Sequence, residues 1–217
     1  MVRLETIRNI AIILVSLDIY SALYAIINGG YPESLPGGGD PTSYLILYLH
    51  VPVAWNLYLG ITIGMVASIL YLWRGLDKYD VIAYRSIILG LLFGFSTIAT
   101  GMIWANEVWG EPWSWDPRQT SVLVLILAYI GYIALRQSIS DPDRMKVFSS
   151  SYAVAAYITL PLSYVSAIIF RSLHVQLPSQ PLTIDIYILL FVRVLIAFTA
   201  FIFLLYLYYK YSILGGE

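Results

Sequence analysis

Two histidines, His50 and His174, are the chain's only imidazoles, and there is no cysteine. Disulfides, iron–sulfur clusters and thiolate ligation are therefore excluded. Four of the six tryptophans fall at Trp104, Trp109, Trp113 and Trp115. Three of these lie in the stretch Trp109-Gly110-Glu111-Pro112-Trp113-Ser114-Trp115-Asp116-Pro117-Arg118-Gln119-Thr120. Gly110, Pro112 and Pro117 argue against one continuous helix here. The segment presents flat indole faces next to a carboxylate, Asp116, and a guanidinium, Arg118. That composition suits a large planar ligand with an acidic edge. Tryptophan is also enriched where lipid headgroups meet water, so an interfacial anchor is the competing reading.

The elements that must carry these residues are membrane helices. The chain of 217 residues is 59% hydrophobic and 12% charged, with mean hydropathy +0.78. A water-soluble domain needs far more polar surface. Six apolar segments stand out, at 10–27, 44–73, 82–104, 120–136, 147–170 and 185–209. Most reach the ~20 residues that cross a bilayer core as a helix, and the fourth is at the short limit. Membrane strands would be shorter and would alternate. The expectation is an all-α integral membrane protein with six transmembrane helices in one domain, 1–217. No internal repeat and no separable soluble domain are visible.

The charges suggest an orientation. Arg3, Arg8, Arg74, Lys78, Arg85, Arg136, Arg144, Lys146 and Lys210 all fall on one side of a six-span arrangement. Only Arg118 and Arg171 fall in connections on the other side, and Arg193 lies within the sixth helix. The basic side is then cytoplasmic, with both termini inside, and the tryptophan segment 104–120 faces outward. The first segment has a basic start but no small-residue cleavage site, so it reads as a helix and not as a cleaved signal.

In chain order, the first helix carries Asp18 near its middle, a costly depth for a carboxylate without a partner. Asp18 and Arg193 sit at similar depths, so a pair clamping the first and sixth helices is expected. Residues 28–43 form a Gly- and Pro-rich outer loop without recognisable chemistry. Counting back ~35 Å from Trp73 places His50 at the outer surface, with Pro52 close by to bend or start a helix. The third helix carries Gly90, Gly94, Ser96, Thr97, Thr100 and Gly101, read as small residues for close packing. Asp116 can be the N-cap of the fourth helix, with Pro117 first and Gln119 completing a capping box. Pro161 predicts a kink in the fifth helix, whose outer end, ~35 Å from Val147, brings His174 to the same outer surface.

Two histidines, a tryptophan platform and two outer arginines on one face match haem. Its iron takes two axial imidazoles. Its flat apolar ring lies against indoles. Its propionates form charge-assisted hydrogen bonds with arginine, here Arg118 or Arg171. Zinc fits less well, since two histidines leave its shell short and the tryptophans unexplained. No nucleophile, acid–base pair or nucleotide motif is visible, so the chain does not read as an enzyme, and nothing in it suggests nucleic-acid binding.

The spacing Trp-Gly-x-x-Trp-x-Trp-Asp-x-Arg-x-Thr resembles the "WWD" signature of the haem-handling proteins of cytochrome c maturation. Size and six-helix plan are most similar to the CcmC family, from about the second helix to the last outer loop. His50-Val51-Pro52-x-Ala54-Trp55 resembles the family's first haem-ligand region. His174, after Pro161-Leu162-Ser163-Tyr164-Val165-Ser166, resembles the second. Where the family usually has tryptophans just before that histidine, this chain has Phe170, Arg171, Ser172 and Leu173. The resemblance implies a multi-pass protein of a prokaryotic cell membrane that binds b-type haem, non-covalently and transiently, at the outer face. His50 and His174 would ligate the iron. Trp109, Trp113 and Trp115 would support the ring, and Asp116, Arg118 and Arg171 would fix the loop and the propionates. It further implies delivery to a CcmE-type haem chaperone, together with CcmAB-type ABC transporter subunits and a small CcmD-type membrane subunit. Three other readings stand beside it: a cytochrome c synthetase-type WWD protein, a quinol-oxidising b-type cytochrome subunit, and a purely structural subunit of a transporter complex that binds no haem. Synthetases usually have further histidines within their helices, and b-type subunits need histidine pairs at membrane depth.

Overall fold

A computed structural model describes residues 4–33, 40–174 and 182–214. Arg3, the loop residues from Pro36 to Gly39, Pro178 and Pro181 lie outside the described residues. Every regular element among the described residues is helical: α1 Leu4–Asn28, a short 3-10 segment Pro41–Ile46, α2 Leu47–Arg74, α3 Asp77–Trp109, α4 Pro117–Ser138, α5 Pro142–Ala156, α6 Thr159–Ile169 and α7 Ile184–Leu214. With α5 and α6 counted together, six spans are long and apolar enough to cross a membrane. Helices satisfy their own backbone hydrogen bonds, which lipid cannot do for them.

The helices begin and end where local chemistry demands. Gly75 closes α2 with φ +66°, and Gly110 closes α3 with φ +79°, left-handed positions that glycine adopts without steric cost. Asp116 and Asp141 cap α4 and α5 through the amides of Arg118 and Arg144. Each is followed by proline, whose missing N–H is not needed at a first helical position. Gln119 does not complete a capping box. Its side chain turns back into the loop instead, accepting from the Ser114 amide at 3.1 Å and donating to the Pro112 carbonyl at 3.3 Å. Pro161 acts one turn before itself. It cannot donate to the Tyr157 carbonyl, which takes the Leu160 amide at 3.0 Å, and the helix breaks between α5 and α6.

The α2–α3 pair forms the most extensive helix contact. A methyl group added to Gly60 would lie 2.7 Å from the Gly90 Cα. These backbones touch because neither residue carries a side chain, the usual way to gain dispersion contact in lipid. Leu57, Ile61, Ile87, Leu91, Leu125, Ile126 and Tyr129 fill the space between α2, α3 and α4.

Two polar clamps brace the bundle. Arg193 of α7 donates to Asp18 of α1 at 2.6 Å, to Ser21 Oγ at 2.6 Å and to the Tyr48 carbonyl at 3.2 Å. It is 1% exposed, and such burial demands this full set of acceptors. At the end of the bundle opposite the tryptophans, Arg136 of α4 forks onto both Asp80 oxygens of α3, at 2.6 and 2.9 Å, and reaches Ser149 of α5 at 2.9 Å. Lys146 adds a bond to Asp77 at 2.8 Å.

Candidate functional site

At the tryptophan end, α2, α3, the loop after α3, and the chain after α6 converge on one cavity. It is partly open to solvent, and its free volume is about 70 Å³, below the roughly 300–1,000 Å³ of sites that enclose a small molecule or cofactor. Its walls include both histidines, Trp104, Trp109, Trp113, Arg118 and Gln119, with Ala54, Leu57, Tyr58, Met102 and Val122 supplying apolar surface.

His50 stands in the first turn of α2, which the buried 3-10 residue Tyr44 and Tyr48 anchor against the rest of the bundle. Its Nδ1 lies 2.8 Å from Thr100 Oγ1 on α3. A methyl on Gly101 would approach the His50 Cε1 to 3.2 Å. The imidazole thus rests on a small-residue ledge formed by one face of α3.

His174 belongs to no helix; a chain of hydrogen bonds holds it. Asp116, buried at the head of α4, accepts from Ser172 Oγ at 2.8 and 3.0 Å and from the Leu173 amide at 2.7 Å. Ser172 Oγ in turn accepts from the His174 amide at 3.0 Å. The His174 ring meets Trp104 edge to face, with centroids 6.2 Å apart, and Trp104 meets Trp109 in the same way at 5.3 Å. Trp104 also has an indole N–H that is buried without an acceptor, an unmet donor in the cavity wall.

The His174 pKa is pushed down to about 3. Burial is the main cause, since it penalises the imidazolium; the charge of Arg118 and then His50 add to it, and Asp116 opposes. The ring is therefore neutral at physiological pH and has a lone pair to offer. Arg118 donates to the Tyr164 carbonyl at 3.2 Å and lies 5.0 Å over the Tyr164 ring. A guanidinium carries five N–H donors, so capacity remains for an anionic ligand group.

The eight residues singled out in the sequence divide in two. His50, His174, Trp109, Trp113 and Arg118 line the cavity. Trp115, Asp116 and Arg171 are not in its walls. Trp115 is 71% exposed, packs edge to face on Trp113, and borders a separate groove with Phe170. Its φ of +57° turns the backbone there, a conformation that costs a non-glycine residue about 1–2 kcal/mol. Asp116 faces the His174 loop, and Arg171 is exposed.

Sequence reasoning assigned no role beyond packing to Thr97, Thr100 and Gly101, and gave none to Tyr58 or Met102. The available signal was positional. Residues 97, 100 and 101 share one α3 face, three to four residues apart, at the depth of His50.

Comparison with known proteins gives the family. Residues 6–214 match the family described as Heme exporter protein C, CcmC. Heme exporter protein C of Bradyrhizobium diazoefficiens is 30% identical over 164 residues, covering 75% of this chain and 59% of that protein. Heme exporter protein C of Rhodobacter capsulatus is 34% identical over 131 residues, 59% of this chain and 54% of that protein. A putative cytochrome c biosynthesis ccmC-like mitochondrial protein of Marchantia polymorpha is 28% identical over 162 residues, 75% of this chain and 68% of that protein. The aligned part thus spans about half to two thirds of the length of these relatives. With a match that runs over nearly its whole length, the chain belongs to the heme exporter protein C family.

Proposed function

We propose that this protein binds haem at the outer face of a prokaryotic cell membrane and hands it to a CcmE-type chaperone during cytochrome c maturation. One observation carries the reading: two imidazoles from distant parts of the chain line one tryptophan-walled cavity. His50 and His174 would ligate the iron, and the haem would be b-type and held without a covalent bond. Trp104, Trp109 and Trp113 border the ring, and Arg118 takes a propionate. Bound there, haem supplies an iron that accepts two nitrogen lone pairs.

The site's position favours transfer over storage. It lies at the end of the bundle, one ligand sits on a tethered loop, and the exposed Trp115 and Phe170 beside it offer apolar surface to a visiting chaperone. The excess of Lys and Arg at the opposite end supports the outward orientation. CcmAB-type ABC subunits and a CcmD-type subunit are the partners that release the loaded chaperone. The role is one of carriage and not of catalysis.

The test is the absorption spectrum of the haem-loaded protein, for wild type, His50→Ala and His174→Ala. A six-coordinate low-spin spectrum that each variant loses is expected. A spectrum unchanged in both variants would remove the ligand assignment.

A further inference from the structure

The bond between His50 and Thr100 has a direction that the surrounding atoms decide. Thr100 Oγ1 lies 2.8 Å from the Ser96 carbonyl and 3.3 Å from the Thr97 carbonyl. Both carbonyls can only accept, and the hydroxyl has one proton to give. That proton is committed to the helix backbone, a habit of threonine within helices. What remains at the 2.8 Å contact with His50 Nδ1 is a hydroxyl lone pair, so Nδ1 must bring the hydrogen.

In the neutral ring the other nitrogen is then unprotonated. Among the described residues Nε2 has no hydrogen-bond partner, and its side chain lines the cavity. The opposite tautomer would turn an N–H into a cavity whose one cation among its described lining residues is Arg118. A lone pair is favoured over an N–H beside a guanidinium.

We infer that Thr100 is a positioning residue that holds His50 in the Nδ1–H tautomer and presents Nε2 to the cavity as an electron-pair donor. Gly101 completes the device. It lets the ring lie flat enough on α3 for the bond to form, since even a methyl group there would press on Cε1. The consequence for iron rests on the proposed function. An N–H bonded on the far side of a ligating imidazole fixes the ring's orientation and raises its basicity.

The chain's two histidines make the test direct. Protein labelled with 15N-histidine, purified through a histidine-free tag and free of haem, is observed in mildly alkaline buffer, with His174→Gln assigning the signals. Wild-type His50 is expected to show a pyrrole-type Nδ1 and a pyridine-type Nε2. Thr100→Val is expected to move both signals towards an average of the two tautomers, and Thr100→Ser to restore the wild-type pattern. A protonated Nε2 in wild type, or a Thr100→Val spectrum identical to wild type, would overturn the assignment. If Thr100→Val does not fold, the wild-type spectrum still decides the tautomer. With haem bound, Thr100→Val is expected to shift the reduction potential positive and Thr100→Ser to leave it in place. An unshifted potential in Thr100→Val would refute the effect on iron. Wild-type protein that takes up no haem would instead defeat the proposed function, with the haem-free spectra still deciding Thr100.

Discussion

Asp116 and Ser172 are joined by hydrogen bonds of 2.8 and 3.0 Å across 56 positions of sequence. This contact makes the N-cap of α4 also the anchor of the loop that carries His174. One carboxylate therefore serves the helix and the His174 loop together. Asp116→Ala is expected to loosen both. Loss of the cap alone costs about 1 kcal/mol. Loss of the support behind a metal ligand typically costs roughly 10–100-fold in affinity. Haem titration should show that fall, with a high-spin component in the spectrum. An unweakened low-spin complex in the variant would show that Ser172 and Leu173 do not need Asp116.

Gly101→Ala probes the ledge under His50. The added methyl meets Cε1 at 3.2 Å, so the ring must shift by a few tenths of an ångström. Haem affinity should fall by about 10-fold, at the low end of what loss of ligand support costs. The melting temperature of the haem-free protein should hardly change. A large fall in that temperature with unchanged haem affinity would make Gly101 a packing residue only.

Arg118 can be tested by ligand chemistry. Arg118→Ala should weaken haem binding by roughly 10–100-fold, the scale of a lost hydrogen bond to a charged group. Haem dimethyl ester, which has no propionate charge, should bind variant and wild type alike. Equal losses for both ligands would assign Arg118 to the architecture of the loop, through its bond to the Tyr164 carbonyl.

The clamp between α1 and α7 should act on stability and not on the cavity. Asp18→Asn leaves the buried Arg193 without its carboxylate. Breaking one side of a buried pair costs roughly 3–5 kcal/mol; the Ser21 and Tyr48 bonds that survive favour the lower end. Thermal unfolding in detergent should register the loss, while haem affinity below the transition stays near wild type.

Acid should act through His174. Its pKa in the folded protein is about 3, against an ordinary 6.5. Below pH ~6.5 the unfolded chain therefore takes up a proton that the folded chain refuses. The favourable contribution of the neutral ring is complete above pH ~6.5 and is lost progressively as pH falls towards 3. The haem-free wild type should lose thermal stability on acidification through this window more steeply than His174→Gln. Parallel curves would show that His174 titrates as it does in water.

The clamp and the spans were legible in the sequence for different reasons. The sequence count placed Asp18 and Arg193 at matching depths, and a buried charge has few permitted partners. Span limits were less sharp. The sequence places the third helix at 82–104, and α3 runs Asp77–Trp109, because polar end turns continue a helix beyond the hydrocarbon. For the site, His50, His174 and Arg118 could be singled out by chemical type. Gln119 read as a capping box because local spacing was the only guide, whereas the Pro112 carbonyl and Ser114 amide it bonds lie outside that pattern.

Run length and composition by themselves determined six membrane helices, because only helices of sufficient length satisfy the backbone within lipid. They also determined that the chain can offer a metal only two imidazoles, His50 and His174, and no thiolate. Tertiary structure alone decided that Thr100 and Gly101 support His50, that Asp116 reaches Ser172, and that Trp115 turns away from the cavity. These contacts depend on the rotation of each helix about its axis. In water an apolar stripe reveals that rotation, but in lipid the buried and the outer faces are both apolar, and the sequence pattern no longer distinguishes them.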